Sequence, residues 1–141
     1  MTPMLICAQF FCAAYMTGII WFVQLVHYPM LHHSNGADTK AGHAEYTHRM
    51  GRVVIPVMLA EMGIQAWWAL AAPSYTSLLG LSFLVVIWLS TFLLQVPTHQ
   101  KLQLEFNAQQ QRYLLHTNWI RTVLWTARAL LLASVCSTTL T

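Results

Sequence analysis

Four apolar segments dominate this chain of 141 residues, and they leave room for little except a bundle of membrane-spanning helices. They cover residues 5–26, 53–72, 78–96 and 118–137, and each is about the 20 residues that an α-helix needs to cross a bilayer. The sequence is 57% hydrophobic and only 8% charged, whereas about a quarter of the residues of a soluble domain are charged. We therefore predict an all-α, integral membrane four-helix bundle that forms one domain over residues 1–141.

The two halves of the chain resemble each other. Gln24 lies near the end of the first segment and Gln95 near the end of the third, and a histidine, His27 or His99, follows each. Each half then re-enters the membrane beside an arginine, and these arginines are Arg52 and Arg121. The pattern predicts two similar helical hairpins in the same orientation, related by an axis along the membrane normal.

Two prolines predict where the first and third helices end. Pro29 disfavours helical geometry in Tyr28, and Pro97 follows the last apolar residue of the third segment. The polar residues 98–117 then separate the third segment from a fourth helix that should begin near Asn118. An amphipathic stretch from Ala37 should lead into the second helix.

The basic residues indicate the orientation of the bundle. Six of them lie in or beside the two segments that join the first helix to the second and the third to the fourth: Lys40, Arg49, Arg52, Lys101, Arg112 and Arg121. By the positive-inside rule these segments face the cytoplasm and both termini lie outside, in what we expect to be a bacterial inner membrane. The basic residues do not form a surface run, so we expect no nucleic-acid partner.

All seven histidines lie on that same side, at His27, His32, His33, His43, His48, His99 and His116. We expect His32, His33 and His43 to be interfacial, whereas His27, His48 and His99 lie at helix ends beside polar positions. These three could hold a single transition metal, since imidazole suits iron, copper and zinc. A haem ligated by His27 and His99 and lined by tryptophans such as Trp125 is an alternative, as is a site without any cofactor.

Helical spacing predicts that polar side chains converge inside the bundle. Asn118, Arg121, Trp125 and Arg128 are 3, 4 and 3 residues apart and so share one face of the fourth helix. Gln24 and Gln95 lie on similar stripes of the first and third helices. Because polar groups are costly in lipid, these stripes should enclose a polar chamber that opens toward the histidine-rich side.

Two further pairs follow from position along the helices. Glu61 and Arg128 have opposite charge and similar depth, which makes them a candidate buried ion pair, with a role either in packing or in function. Cys7 and Cys136 should lie near the same outer face. They are either buried free thiols or a disulfide.

The chain resembles the anthrone-oxygenase-like family of small four-helix bacterial membrane proteins, which oxidise polycyclic phenols. The resemblance rests on Trp21, Gln24 and Tyr28-Pro29, on Tyr46, His48-Arg49 and Arg52, on Gln95-Val96-Pro97 and His99, and on Asn118-Trp119-Ile120-Arg121-Thr122. The first half is also similar to HemJ-type protoporphyrinogen oxidases, through Trp21-Phe22, Tyr28-Pro29 and a following histidine, but here the third helix lacks a lysine. Either resemblance implies a membrane oxidoreductase with His48, His99, Asn118 and Arg121 as its working polar groups.

The leading functional hypothesis is therefore a membrane oxidoreductase or oxygenase that acts on a lipophilic, phenolic or anionic molecule. His48 or His99 would be the general base. Asn118, Gln24 and Gln95 would orient the substrate, and Arg52 and Arg121 would stabilise negative charge. The alternatives are a small proton-coupled transporter or channel, acting as a homodimer and using Glu61, and a haem- or metal-binding subunit without activity of its own.

Overall fold

The structure, a computed structural model, describes residues 2–31, 37–105 and 107–140, and these residues form four long helices with no strand among them. The first helix, α1, consists of Pro3–Phe22, a π-helical turn Val23–His27, and Tyr28–Leu31. Helix α2 is Ala37–Ala71. Helix α3 consists of Tyr75–Ser90, a second π-helical turn Thr91–Gln95, and Val96–Leu104, and α4 is Ala108–Leu140. The predicted all-α four-helix bundle is confirmed.

The helices are longer than the apolar segments. Helix α2 begins at Ala37 rather than at residue 53, α3 continues past Pro97 to Leu104, and α4 begins at Ala108 rather than near Asn118. Hydrophobicity marks only the part of a helix that lipid surrounds, and the amphipathic or polar residues beyond it keep the same backbone geometry. The short connection between α2 and α3 ends in a capping box, in which Ser77 N donates to Ser74 Oγ and Ser74 N donates to Ser77 Oγ.

Pro29 and Pro97 each lie inside a helix, and each follows a widened, π-helical turn. Tyr28 has φ −65° and ψ −40° and the helix continues to Leu31, so the prediction that Pro29 biases Tyr28 away from helical geometry and ends the helix is wrong. The N–H of Tyr28 donates to the carbonyl of Val23, and the N–H of Val96 donates to that of Thr91, five residues back in each case. A π-helical turn absorbs the missing N–H and the bulk of a proline ring without ending the helix.

The bundle is apolar outside and polar inside. Helix α1 packs against α2 and α4, and α3 packs against the same two helices. Large apolar side chains such as Leu70, Leu93 and Leu130 point outward, and the buried polar side chains include Gln9, Gln24, Glu61, Gln65, Gln95, Asn118, Arg121 and Arg128. All four helices are long and apolar enough to cross a membrane. The chain is therefore built as an integral membrane protein, in which polar groups find their partners within the bundle.

A buried guanidinium connects all four helices. Arg128 of α4 donates from Nε to Glu61 Oε1 of α2 at 2.7 Å, from Nη1 to the carbonyl of Gly80 in α3 at 2.9 Å, and from Nη2 to Gln9 Oε1 of α1 at 2.6 Å. The second carboxylate oxygen of Glu61 accepts from the indole of Trp125 at 3.2 Å. The ion pair expected between Glu61 and Arg128 is thus formed, and both side chains are fully buried.

Replacing Gly80 with alanine should destabilise the bundle. A Cβ there would lie 2.9 Å from Gln65 Nε2 and 3.1 Å from Arg128 Nη1. Gln65 has little freedom to move away, since its amide donates to the carbonyl of Ser77 at 2.7 Å. We expect Gly80→Ala to lower the free energy of unfolding by about 1–3 kcal/mol, through one disrupted hydrogen bond, as measured by denaturation in detergent micelles.

The matched control is Gly63→Ala in α2, where a Cβ would meet nothing within 4 Å. This variant should be as stable as the parent protein or slightly more stable, because alanine has the higher helix propensity. Equal losses in the two variants would show that close approach at Gly80 is not what matters.

Candidate functional site

A cavity of about 240 Å³ lies among the four helices, beside the two π-helical turns. Its wall is mostly apolar and includes Ile20, Val23, Met50, Val54 and Met58. The larger polar side chains that line it are Tyr28, Tyr46, Gln95, His99 and Arg121. We call this cavity the chamber. Its composition suits a ligand that is lipophilic over most of its surface and polar at one end.

The π-helical turns help to set which side chains face the chamber. A π-helical turn contains one residue more than the α-helical path it replaces, so the residues after it are rotated by about 100° relative to a continuous α-helix. Tyr28 follows the first turn directly, and His99 follows the second by one helical turn. Both residues line the chamber in this arrangement.

A chain of hydrogen bonds starts at side chains that line the chamber and continues beyond its lining. The Tyr28 hydroxyl lies 3.3 Å from His99 Nε2, and His99 Nδ1 lies 3.0 Å from His43 Nε2. The same hydroxyl lies 3.4 Å from Gln95 Oε1, and the amide of Gln95 donates to Thr117 Oγ1 at 3.0 Å. Two imidazoles and a phenol in direct contact provide a path along which a proton can move.

His43 is one residue whose importance the sequence reasoning missed. Its predicted interfacial position is wrong, because its side chain is only 1% exposed and its ring stacks on that of His99 at 5.1 Å. The reason is that α2 begins before His43 and so carries it on the face that includes Met50. The sequence does contain a pattern that indicates this burial, since residues 43, 47, 50, 54 and 58 are spaced so that they share one helical face. His32 and His33 lie outside the described residues.

Tyr46, also on α2, is the second residue that was missed. Its ring stacks on that of His27, with 3.3 Å between centroids and 13° between planes. The Tyr46 hydroxyl and His27 Nε2 are both buried, and neither has a hydrogen-bond partner in the described part of the chain. His27 is thus held at the edge of the chamber through a ring contact.

Arg121 is the least compensated of the buried charges in the described part of the bundle. Its side chain is 9% exposed, and within the described residues it forms no ion pair and Nε has no hydrogen-bond partner. Its guanidinium lies over the ring of Trp125, 5.3 Å from the centroid. A buried cation without an anion is costly, so an anionic group entering the chamber would gain a strong interaction there.

Gln24 and Asn118 form a pair close to Arg121. Asn118 Nδ2 donates to Gln24 Oε1 at 2.7 Å, and Gln24 Nε2 donates to the carbonyl of Leu115 at 3.2 Å. Asn118 Oδ1 is buried without a partner among the described residues. Of the predicted chamber residues, Gln95, His99 and Arg121 line the cavity, whereas Gln24, Asn118 and Trp125 are buried outside its lining.

His48 and Arg52 lie elsewhere. Both are exposed and line an outer groove together with Pro56, on a different face of α2 from His43. Arg52 and Arg121 occupy similar places in the two halves of the sequence, but one arginine faces outward and the other is buried. The internal resemblance of the halves therefore does not extend to their arginines.

The described residues do not assemble the predicted metal or haem sites. No group of three or more histidine, cysteine or acidic side chains among them is placed to hold a metal ion, and the expected set of His27, His48 and His99 is divided by the outward position of His48. Both ring nitrogens of His99 are already in contact, with Tyr28 and His43. The chamber is also smaller than the roughly 300–1,000 Å³ of pockets for drug-sized ligands, so haem between His27 and His99 does not fit.

Comparison with protein-family models, with curated proteins and with solved structures gives no match. Function has to be inferred from the geometry and chemistry of the chamber itself. The two buried arginines offer a direct test of which part of the bundle is built for packing and which for a ligand.

Replacing each buried arginine with methionine should affect stability very differently. Arg128→Met leaves Glu61 buried without its partner and should cost about 3–5 kcal/mol of unfolding free energy. Arg121→Met removes a buried charge that has no counter-ion, so it should leave the ligand-free protein equally stable or raise its thermal midpoint. Thermal unfolding of both variants in the same detergent, followed by circular dichroism, measures the difference. A large loss of stability in Arg121→Met would show that this arginine also serves packing.

Proposed function

We propose that this protein is a membrane oxidoreductase of the cofactor-free oxygenase kind, which acts on a lipophilic phenol in the chamber. The observation that carries the proposal is the buried guanidinium of Arg121, which has no ion-pair partner among the described residues and lines the same cavity as His99 and Tyr28. A phenol is apolar over most of its surface and becomes an oxyanion once its proton is removed. It therefore complements an apolar cavity that contains one cation and one proton path.

The first step is removal of a proton from the substrate. With the Tyr28 hydroxyl donating to His99 Nε2 and His99 Nδ1–H donating to His43 Nε2, a proton that arrives at the Tyr28 oxygen leaves along this chain. The Nδ1 atom of His43 has no partner among the described residues and ends the path. A neutral imidazole accepts a proton at one ring nitrogen while it releases one from the other, so both histidines suit this role.

The second requirement is stabilisation of the substrate oxyanion. Arg121 supplies a fixed positive charge in a site where the low dielectric constant strengthens charge interactions. Gln95 Nε2 donates one hydrogen to Thr117 Oγ1, and the second hydrogen on the same nitrogen is the donor that we assign to the substrate oxyanion. These groups lie in place before substrate binds, so little reorganisation accompanies the reaction.

The oxidation itself uses O₂ as the electron acceptor. A methylene group between two aromatic rings, as in anthrone, loses two hydrogens and gains one oxygen atom, and the other oxygen leaves as water. The phenolate form is electron-rich enough to give electrons to O₂ directly, so the protein has to supply only binding, charge stabilisation and a proton path. This view agrees with a chamber whose polar groups are tyrosine, glutamine, histidine and arginine.

We further propose that the chamber end faces the cytoplasm of a bacterial cell and that both termini lie outside the inner membrane. Exposed basic residues lie toward the chamber end of the helices, at Arg49, Arg52, Lys101 and Arg112, whereas the connection between α2 and α3 at the other end has no charge. The positive-inside rule then sets the orientation. A proton-coupled carrier has less support, because Glu61 is fixed by Arg128 and Trp125 and has no path to water among these contacts.

Anthrone in phosphatidylcholine vesicles is a suitable probe of the reaction. We expect vesicles that contain the protein to consume O₂ in proportion to the quinone formed, well above the spontaneous rate of protein-free vesicles. His99→Ala should lower this rate by about 10²–10⁴-fold, the usual contribution of general acid–base catalysis. Tyr28→Phe and His43→Ala should also lower it, since each interrupts the proton path.

His116→Ala is the matched control, because His116 is an exposed histidine at the same end of the bundle. It should leave the rate unchanged. All variants should keep the thermal midpoint of the parent within a few degrees, which separates loss of chemistry from loss of fold. Undiminished turnover in His99→Ala, or no turnover above the spontaneous rate in the parent protein, would overturn the proposal.

A further inference from the structure

Two cysteines meet at the end of the bundle opposite the chamber. Cys7 lies four residues into α1 and Cys136 lies close to the end of α4, so 129 residues separate them in sequence. Their sulfur atoms are 3.5 Å apart. We propose that Cys7 and Cys136 form a disulfide in the native membrane protein and that this bond fastens the first helix to the last.

The packing around the two thiols favours the bond. Cys136 is buried and Cys7 is half-buried, at a level where α1 and α4 are neighbours. Below them Ala13 and Leu132 are almost completely buried in a shared apolar cluster, which keeps the two helices close. Formation of the bond requires the sulfur atoms to approach from 3.5 Å to the bonding distance of about 2.05 Å.

The chemistry requires an oxidant outside this chain. In thiol–disulfide exchange, the thiolate of one cysteine attacks a donor disulfide and forms a mixed disulfide. The second cysteine then displaces the donor sulfur, so that two thiols become one disulfide and the donor is reduced to two thiols. Thiol-oxidising proteins or small disulfides of an oxidising compartment are the chemical class of donor.

The compartment follows from the orientation proposed above, and the inference rests on it. If the chamber end faces the cytoplasm, the two cysteines lie near the outer surface of the membrane, where disulfides form and persist. The oxygenase proposal does not depend on this bond, because the chamber lies at the other end of the bundle. Failure of one proposal therefore leaves the other standing.

The third cysteine provides an internal reference. Cys12 lies five residues beyond Cys7 on α1, and no sulfur contact of Cys12 exists within the described residues. Membranes are dissolved in a denaturing detergent that contains N-ethylmaleimide, so that buried thiols also react, and the purified protein is analysed by mass spectrometry. We expect one labelled cysteine, at Cys12, and three labelled cysteines when a reductant is added first. Three labelled cysteines without reduction would overturn the proposal.

Substitutions separate a specific bond from chance oxidation. Cys7→Ser and Cys136→Ser should each leave two free thiols and lower the thermal midpoint by several degrees, and reduction of the parent protein should give a similar shift. Cys12→Ser is the matched control on the same helix and should retain the disulfide and the midpoint of the parent. If reduction lowered the midpoint of Cys7→Ser as much as that of the parent, the shift would have another cause and the proposed role of the bond would be wrong.

Discussion

The bundle depends on one constraint, which is that the buried guanidinium of Arg128 must find hydrogen-bond acceptors within the protein. Lipid offers no hydrogen bonds, so a charge at this depth persists only where protein groups surround it. Arg128 takes one acceptor from each of the other three helices: a carboxylate, an amide and a backbone carbonyl. Because these acceptors come from different helices, the network fixes their relative heights as well as their contacts.

Each end of the bundle contains a buried arginine, and the surroundings of the two arginines differ. At the network end Arg128 donates to three protein acceptors, whereas at the chamber end Arg121 lies over the ring of Trp125 and forms no ion pair within the described residues. Helices held rigidly at one end can tolerate an unsatisfied charge at the other, since the cost is offset elsewhere in the fold. A polar group left unpaired in such a setting is ready for a ligand, as at many preorganised sites.

The features of this fold that depend on amino-acid composition could be predicted from the sequence. Those that depend on where a helix begins or ends could not. The four apolar segments and the depth of Glu61 and Arg128 could be predicted, because lipid restricts both. A second helix that begins at residue 53 leaves His43 outside the bundle, although the spacing of residues 43, 47, 50, 54 and 58 on one helical face indicates its burial. With α2 extended to Ala37, the same 3.6-residue periodicity places His43 inside.

Two arginines show a second limit of prediction from sequence, which concerns the direction in which a side chain points. Arg52 and Arg121 occupy similar places in the two halves of the sequence, yet only Arg121 turns inward. Which face an arginine presents depends on helix rotation, and rotation depends on packing partners that are remote in sequence. Likewise, a proline in a helical pattern signals an interruption, but it does not say whether the chain bends, ends or widens by one residue.

The π-helical turns separate the bundle into parts that can change independently. Loss of a single residue from Val23–His27 or from Thr91–Gln95 would restore an ordinary α-helix and turn the residues beyond it toward a different neighbour. Tyr28 or His99 would then leave the chamber, while Gln9 and Gly80, which precede the turns, would keep their contacts with Arg128. The chemistry of the chamber can therefore be lost or replaced over evolutionary time by one-residue length changes that leave the membrane fold intact.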